Sequence, residues 1–158
     1  MGVLWRARAP LHRLVLHTPA RQRAYDRSVV LLRYLGRYTG SYHERAIAVA
    51  RRGSHLLAVS PRRANGARTA KEWWRNFQPS GPGVLILPDV QLGVVGRVVD
   101  GAERPRELAQ VLGAYLASLP REARPLGIET ATAPDALEEA APRFVGLVFD
   151  LRSRSTSG

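Results

Sequence analysis

The chain contains no cysteine. That removes disulfides, thiolate nucleophiles and cysteine-based zinc or iron–sulfur centres together, and a cytoplasmic location is the default expectation. No run of about twenty apolar residues occurs, so no helix is expected to span a bilayer. Arg6, Arg8 and Arg13 interrupt the apolar residues of the first twenty positions, which argues against a signal peptide. Lysine is nearly absent: Lys71 is the only one. Yet the net charge is +11, carried by arginine. Guanidinium forks match phosphate geometry, so the expected partners are anionic: a phosphorylated cofactor, nucleic acid or an acidic membrane surface.

What is present suits a single domain over residues 1–158, with 45% hydrophobic residues. At this length folding buries about two-thirds of the unfolded chain's surface. Residues 1–27 are basic with scattered apolar positions, and Leu11–His17 reads as a short amphipathic helix able to touch anionic lipid. Three strands follow as a meander, Ser28–Leu35, Tyr42–Arg51 and His55–Ser60, separated by glycine-containing turns. In the second, Arg45, Ile47, Val49 and Arg51 share one face and Ala46, Ala48 and Ala50 the other.

After a polar loop, Thr69 and Glu72 fit a capping box opening a helix through Trp73-Trp74-Arg75-Asn76-Phe77. Trp73 and Phe77 are one turn apart and expected to face the core, with Trp74 pointing elsewhere. Pro79, Gly81 and Pro82 stop that helix, and strands are expected at Val84–Leu87 and Val90–Val99. Gly93 and Gly96 suggest a bulge or a close backbone approach. Leu108, Val111, Leu112, Tyr115, Leu116 and Leu119 fall at helical spacing, predicting a helix over Glu103–Leu119. A loop at Pro120–Pro125, a short helix at Pro134–Ala140, a last strand at Phe144–Leu151 and a frayed tail from Arg152 complete the chain. About six antiparallel strands with three or four helices predict an α+β fold built on a closed or half-closed antiparallel β-barrel.

Self-sufficient side-chain chemistry is missing. His12, His17, His43 and His55 lack metal-ligand spacing with a carboxylate. Ser41, Ser54 and Ser60 have no nucleophile-elbow context, and neither a P-loop nor a dinucleotide fingerprint occurs. An enzyme of this sequence would lean on a cofactor. Three patches could hold one. Arg37-Tyr38-Thr39-Gly40-Ser41 offers a guanidinium, hydroxyls and turn amides, or is a plain polar turn. Ser60-Pro61-Arg62-Arg63 supplies charge after the third strand, or is simply solvated. The third is the Trp73–Phe77 segment.

The order of these parts resembles the deazaflavin-dependent nitroreductase-like family of split β-barrels, related to the flavin mononucleotide-binding barrels. The resemblance covers about residues 11–101. It rests on the short basic helix, on Gly36-Arg37-Tyr38-Thr39-Gly40 for the family's Gly-Arg-Lys-Ser/Thr-Gly turn, on the loop from Ser60, and on Trp73-Trp74-Arg75-Asn76-Phe77 for its Trp-Tyr-x-Asn-Leu helix. It implies a split barrel of the flavin-reductase type that binds coenzyme F-420 or, alternatively, flavin mononucleotide. It further implies hydride transfer to a small electrophile such as a quinone or nitro compound. Arg37, Thr39, Ser41 and Arg62 would hold phosphate. Tyr38, Gly40, His43, Arg45, Ala58, Ser60, Arg63, Trp73 and Trp74 complete the implied cofactor site.

The ring would lie along the second and third strands, where the Ala46, Ala48, Ala50 face either leaves room for it or packs tightly. Tyr38 and Tyr42 are candidate proton donors that nothing in the spacing selects. The sequence departs from the family at Tyr38, which replaces the basic turn residue, at His43 and Ala46, and at Pro61-Arg62-Arg63, which replace a lysine-glycine-glycine stretch. Relatives of this kind are often homodimers, though some are monomers. The main alternative is a split barrel that carries a ligand without turnover, which the altered turn favours. Nucleic-acid binding would follow from charge alone and lacks a reader motif.

Overall fold

A computed structural model describes residues 29–62, 72–87, 90–129 and 133–152. The expected Leu11–His17 helix, the basic N-terminal segment, Thr69, Arg63 and the tail from 153 lie outside the described residues.

Seven strands form one antiparallel sheet: β1 (Val29–Leu35), β2 (Tyr42–Ala48), β3 (Ala50–Arg52), β4 (His55–Pro61), β5 (Ser80–Ile86), β6 (Gln91–Asp100) and β7 (Phe144–Leu151). Their spatial order is β2-β1-β5-β6-β7-β4-β3. The two edges of that order, β2 and β3, are separated in sequence by Val49 alone. A single segment therefore supplies both edges. Its first half pairs with β1 from Val29↔Ala48 to Leu35↔Tyr42, and its second half pairs with β4 from Ala50↔Leu57 to Arg52↔His55. The sheet thus curls round until its edges meet at Val49, closing most of the hydrogen-bonding edge that an open sheet would expose. This is also why seven strands appear where about six were expected: the predicted strand Tyr42–Arg51 divides at the bend, changing partners there.

Two cores follow from the period-two alternation of the strands. Inside the barrel lie Leu32, Tyr34, Ile47, Val49, Ala58, Leu85, Val94, Leu147 and Phe149. Outside it, Ala50, Leu57, Val99 and Val148 pack against the stripe Leu108, Val111, Leu112 and Tyr115 of α1 (Pro105–Ser118). Leu108 and Leu112 are fully buried, each worth about 1.5–3 kcal/mol of transfer free energy. Ala48 and Ala50 belong to this outer core, and Ala46 packs with Leu31, Ile86 and Val84, so the small-residue face is a packing face.

α1 matches the expected span within two residues at its start and one at its end, with Pro105 in its first turn. The expected strand Val84–Leu87 instead begins at Ser80. Pro82 is tolerated because β1 pairs with β5 only from Val84 to Ile86, leaving the flank of Pro82 toward β1 without a ladder bond to lose. No bulge interrupts β5–β6 pairing. At Gly96 the second expectation applies, since an added Cβ would lie 2.9 Å from the rings of both Phe77 and Phe149. The expected loop at 120–125 is a 3-10 turn at Pro120–Glu122 followed by α2 (Ala123–Leu126), closed by Gly127 at φ 69°. α3 (Pro134–Ala140) and β7 fall where expected. Among the described residues no helix is long and apolar enough to cross a membrane.

Candidate functional site

Strand directions alternate along the run β1-β5-β6-β7-β4. The ends of β1 and β4 and the start of β5 therefore share one end of the barrel. The turn after Leu35, the residues after Pro61 and the aromatic segment just before Ser80 are the three sequence patches, and the topology delivers all three to this one rim.

The aromatic segment is a five-residue 3-10 helix, Trp73–Phe77, rather than the capped α-helix expected; Glu72 precedes it and makes no side-chain cap. In a 3-10 helix residues three apart share a side, which aligns Trp74 with Phe77. Trp74 is accordingly buried to 2% exposure beside Trp73 and Phe77, correcting the expectation that it points elsewhere. The helix plugs the barrel end.

On one side of the plug stands the turn. Gly36 N–H donates to Ser41 O at 2.8 Å, Gly40 N–H to Gly36 O at 3.0 Å, and Ser41 N–H to Thr39 Oγ1 at 3.3 Å. Gly40 sits at φ 65°, a conformation glycine adopts without strain. Arg37 N–H donates to Asn76 Oδ1 at 2.7 Å. The Tyr38 and Thr39 amides have no intramolecular partner among the described residues. They are consecutive donors beside the Arg37 guanidinium, which lies 5.9 Å from the Tyr38 ring centroid. Tyr38 and Tyr42 are 89% and 74% exposed.

His43 reaches back over this turn. Its Nε2 is 3.2 Å from Thr39 Oγ1, and its ring stacks on Tyr34 with centroids 5.7 Å apart. The space is available because residue 36 is glycine: a Cβ there would lie 2.3 Å from Thr39 Oγ1 and 2.6 Å from His43 Nε2. Deeper in, the Tyr34 phenol and the Arg45 guanidinium are close enough to interact. Burial pushes the Tyr34 phenol above its ordinary range, partly opposed by Arg45, and burial pulls the Arg45 guanidinium down, partly opposed by Tyr34. Arg45 also lies over Trp73 at 5.5 Å, a cation–π contact. Asn76 Nδ2 donates to Trp73 O at 2.8 Å. The contacts thus close a circuit: turn, His43, Tyr34, Arg45, Trp73, Asn76, turn.

On the other side of the plug, Arg62 ion-pairs with Asp100, and its N–H donates to Arg143 O at 2.6 Å. Its guanidinium lies 5.7 Å from the Trp74 ring, and that of Arg75, ion-paired with Glu72, lies 5.3 Å from it. The buried Trp74 Nε1–H has no partner among the described residues.

Of the residues the sequence nominated, Arg37, Tyr38, Thr39, Gly40, Ser41, His43, Arg45 and Trp73 belong to the first cluster, and Arg62 and Trp74 to the second. Ser60 is half-buried on β4 opposite Val145, and Ala58 is packed inside the barrel. Sequence reasoning did not select Tyr34, Asn76 or Asp100. Asn76 had a signal, a polar residue among four aromatic or basic neighbours. The even-numbered face of β1, once placed inward, would have found Tyr34.

No family model and no curated protein matches the chain. Solved structures do resemble it. One described as a domain-swapped dimer is 15% identical, with 95% of this chain and 100% of that chain covered and a TM-score of 0.51. An F420 reductase is 18% identical over 89% of this chain and 93% of its own, with a TM-score of 0.41. A NimC/NimA family protein from Clostridium acetobutylicum is 16% identical over 87% of each chain, with a TM-score of 0.43. At these identities the likeness concerns fold. The fold is an antiparallel split β-barrel with helices.

Proposed function

We propose that the protein is an oxidoreductase that holds a flavin-type cofactor, coenzyme F-420 or flavin mononucleotide, at the plugged rim of its barrel. The observation that carries this reading is the Arg37–Asn76 bond, which fastens the glycine turn to the tryptophan plug. The donor set fits a phosphate: two consecutive amides with no partner among the described residues, the Arg37 guanidinium, and the exposed hydroxyls of Thr39 and Ser41, which a ligand would draw from their contacts with His43 Nε2 and Thr39 O. Arg37, Tyr38, Thr39 and Ser41 would bind it, with Arg45 adding positive potential from within the barrel. Trp73, Trp74 and Phe77 would keep water out of the barrel beneath. Bound there in its reduced form, such a cofactor would supply a hydride to a small electrophile such as a quinone or nitro compound, a quinone taking up one proton with it to become the hydroquinone. A homodimer is part of the proposal, checked by light scattering.

Arg62 favours a second reading, a carrier without turnover, because Asp100 already engages its charge. The two separate in one experiment: reconstitution with each cofactor, then reduction of a quinone and of a nitroarene under single-turnover conditions. Binding with acceptor reduction supports the reductase. Binding without it supports the carrier, and no binding refutes both.

A further inference from the structure

We propose that the tip of the β1–β2 hairpin is a docking surface for an anionic phospholipid bilayer. The proposal goes beyond the cofactor reading and does not rest on it.

Among the described residues five large apolar side chains are exposed, and three of them, Leu35, Tyr38 and Tyr42, stand at this one tip. Leu35 and Tyr42 are direct cross-strand partners, so their side chains lie side by side on one face. The preceding pair, Tyr34 and His43, stacks ring on ring, with Tyr34 in the core inside the barrel. By strand alternation Leu35 and Tyr42 therefore face outward. Tyr38 stands at the apex between them. The turn that carries it is held by the Gly36 N–H to Ser41 O bond and fastened to the plug by the Arg37 N–H to Asn76 Oδ1 bond. A tip fixed in this way loses little conformational entropy on docking.

The chemistry of the tip selects the partner. Each tyrosine joins an apolar ring to a hydroxyl that stays wet, the combination that settles at the headgroup level of a bilayer. Leu35 adds a purely apolar contact. Residues 34–43 include Arg37 and contain no Asp or Glu, and the next residue, Glu44, is ion-paired with Arg33. The whole chain carries a net charge of +11, so an anionic surface attracts it and meets no local repulsion at the tip. A second copy of the chain fits this tip less well. Three side chains offer less than the roughly 800 Å² per partner of a standard interface, and a two-fold contact brings Arg37 toward its own copy. Nucleic acid also fits less well, because a single arginine provides no row of phosphate contacts.

The chain has no cysteine, so one introduced cysteine is a unique labelling site. Full-length Tyr38→Cys and Ser54→Cys, the latter in the exposed β3–β4 turn at the opposite end of the barrel, are each labelled with an environment-sensitive fluorophore. Both are titrated with phosphatidylcholine vesicles containing about 30% phosphatidylserine. The label at position 38 is expected to shift saturably to the blue and the label at 54 to stay unchanged. The response should weaken at high salt and with pure phosphatidylcholine. In sedimentation with the same vesicles, unlabelled Leu35→Ser/Tyr42→Ser should partition about tenfold less than wild type. Both positions are exposed, so its melting temperature should match wild type. Absence of vesicle binding, equal partition of folded variant and wild type, or a response at 54 without one at 38 overturns the proposal. A blue shift at 38 that grows with protein concentration in the absence of lipid assigns the tip to a second copy and overturns it as well. A shift produced by a DNA oligonucleotide and not by vesicles does the same in favour of nucleic acid.

Discussion

Arg37 and Asn76 lie 39 residues apart in sequence and meet at 2.7 Å, backbone amide to side-chain oxygen. The same Asn76 holds Trp73 O through its other atom. One amide side chain therefore sets the distance between turn and plug. Asn76→Ala leaves both partners without it. With the Arg37 side solvated, the expected stability loss is about 1 kcal/mol, read as a lower midpoint in urea at unchanged m. Cofactor affinity should fall by more than that stability loss implies, because the turn is no longer fixed. A variant with unchanged ligand affinity would separate Asn76 from the site.

Gly36→Ala places a methyl group at 2.3 Å from Thr39 Oγ1 and 2.6 Å from His43 Nε2. Overpacking of this kind costs about 1–3 kcal/mol. The Thr39–His43 bond should break first, so the His43 ring resonances should shift in the NMR spectrum while barrel amides stay in place. Unperturbed ring resonances would contradict the contact.

These two positions show what the sequence made legible. Gly36 to Gly40 read as a turn and Trp73 to Phe77 as a helical aromatic segment from local composition alone. That both stand at one rim depends on the β1-β5 pairing, a non-local fact carried by no local motif. The bend at Val49 was hidden for the same reason: nothing in a run of alternating residues says that its halves serve opposite edges. Local rules also misplaced Trp74, because an α-helical period was applied to a segment that forms a 3-10 helix, in which residues three apart share a side. The α1 stripe and β7 were legible because their periodicity is long and uninterrupted.

Gly146 is the close approach between barrel and helix. A Cβ there would stand 2.9 Å from Leu108 Cδ1 and 3.1 Å from Val111 Cγ1. Gly146→Ala should destabilise by about 1–3 kcal/mol. Leu108→Ala alone should cost about 2–5 kcal/mol. In the double variant the two should be less than additive, since the smaller residue 108 makes room for the new methyl. Strict additivity in denaturant unfolding would argue against α1 lying on β7 as observed.

Tyr115 predicts the alkaline limb of stability. Burial, reinforced by the negative charge of Glu122, pushes its phenol well above the ordinary range. The folded state keeps that proton after the unfolded chain has released it. The contribution is thus intact below about pH 10 and is lost as pH rises beyond it. Tyr115→Phe should flatten the fall in melting temperature above about pH 10, and an unchanged alkaline slope would contradict the assignment.

The most direct test of the proposed cofactor site is quenching of tryptophan fluorescence by coenzyme F-420 and by flavin mononucleotide, in wild type and Arg37→Ala. Trp73 and Trp74 stand in the plug beside the proposed phosphate donors, so binding at the rim should quench them. The predicted result is saturable quenching by at least one cofactor, weaker at high salt, with affinity lowered about ten- to a hundred-fold in Arg37→Ala, equivalent to the loss of a charge-assisted bond of about 1.5–3 kcal/mol. Absence of saturable quenching by either cofactor at near-millimolar concentration, about −4 kcal/mol, would contradict the account.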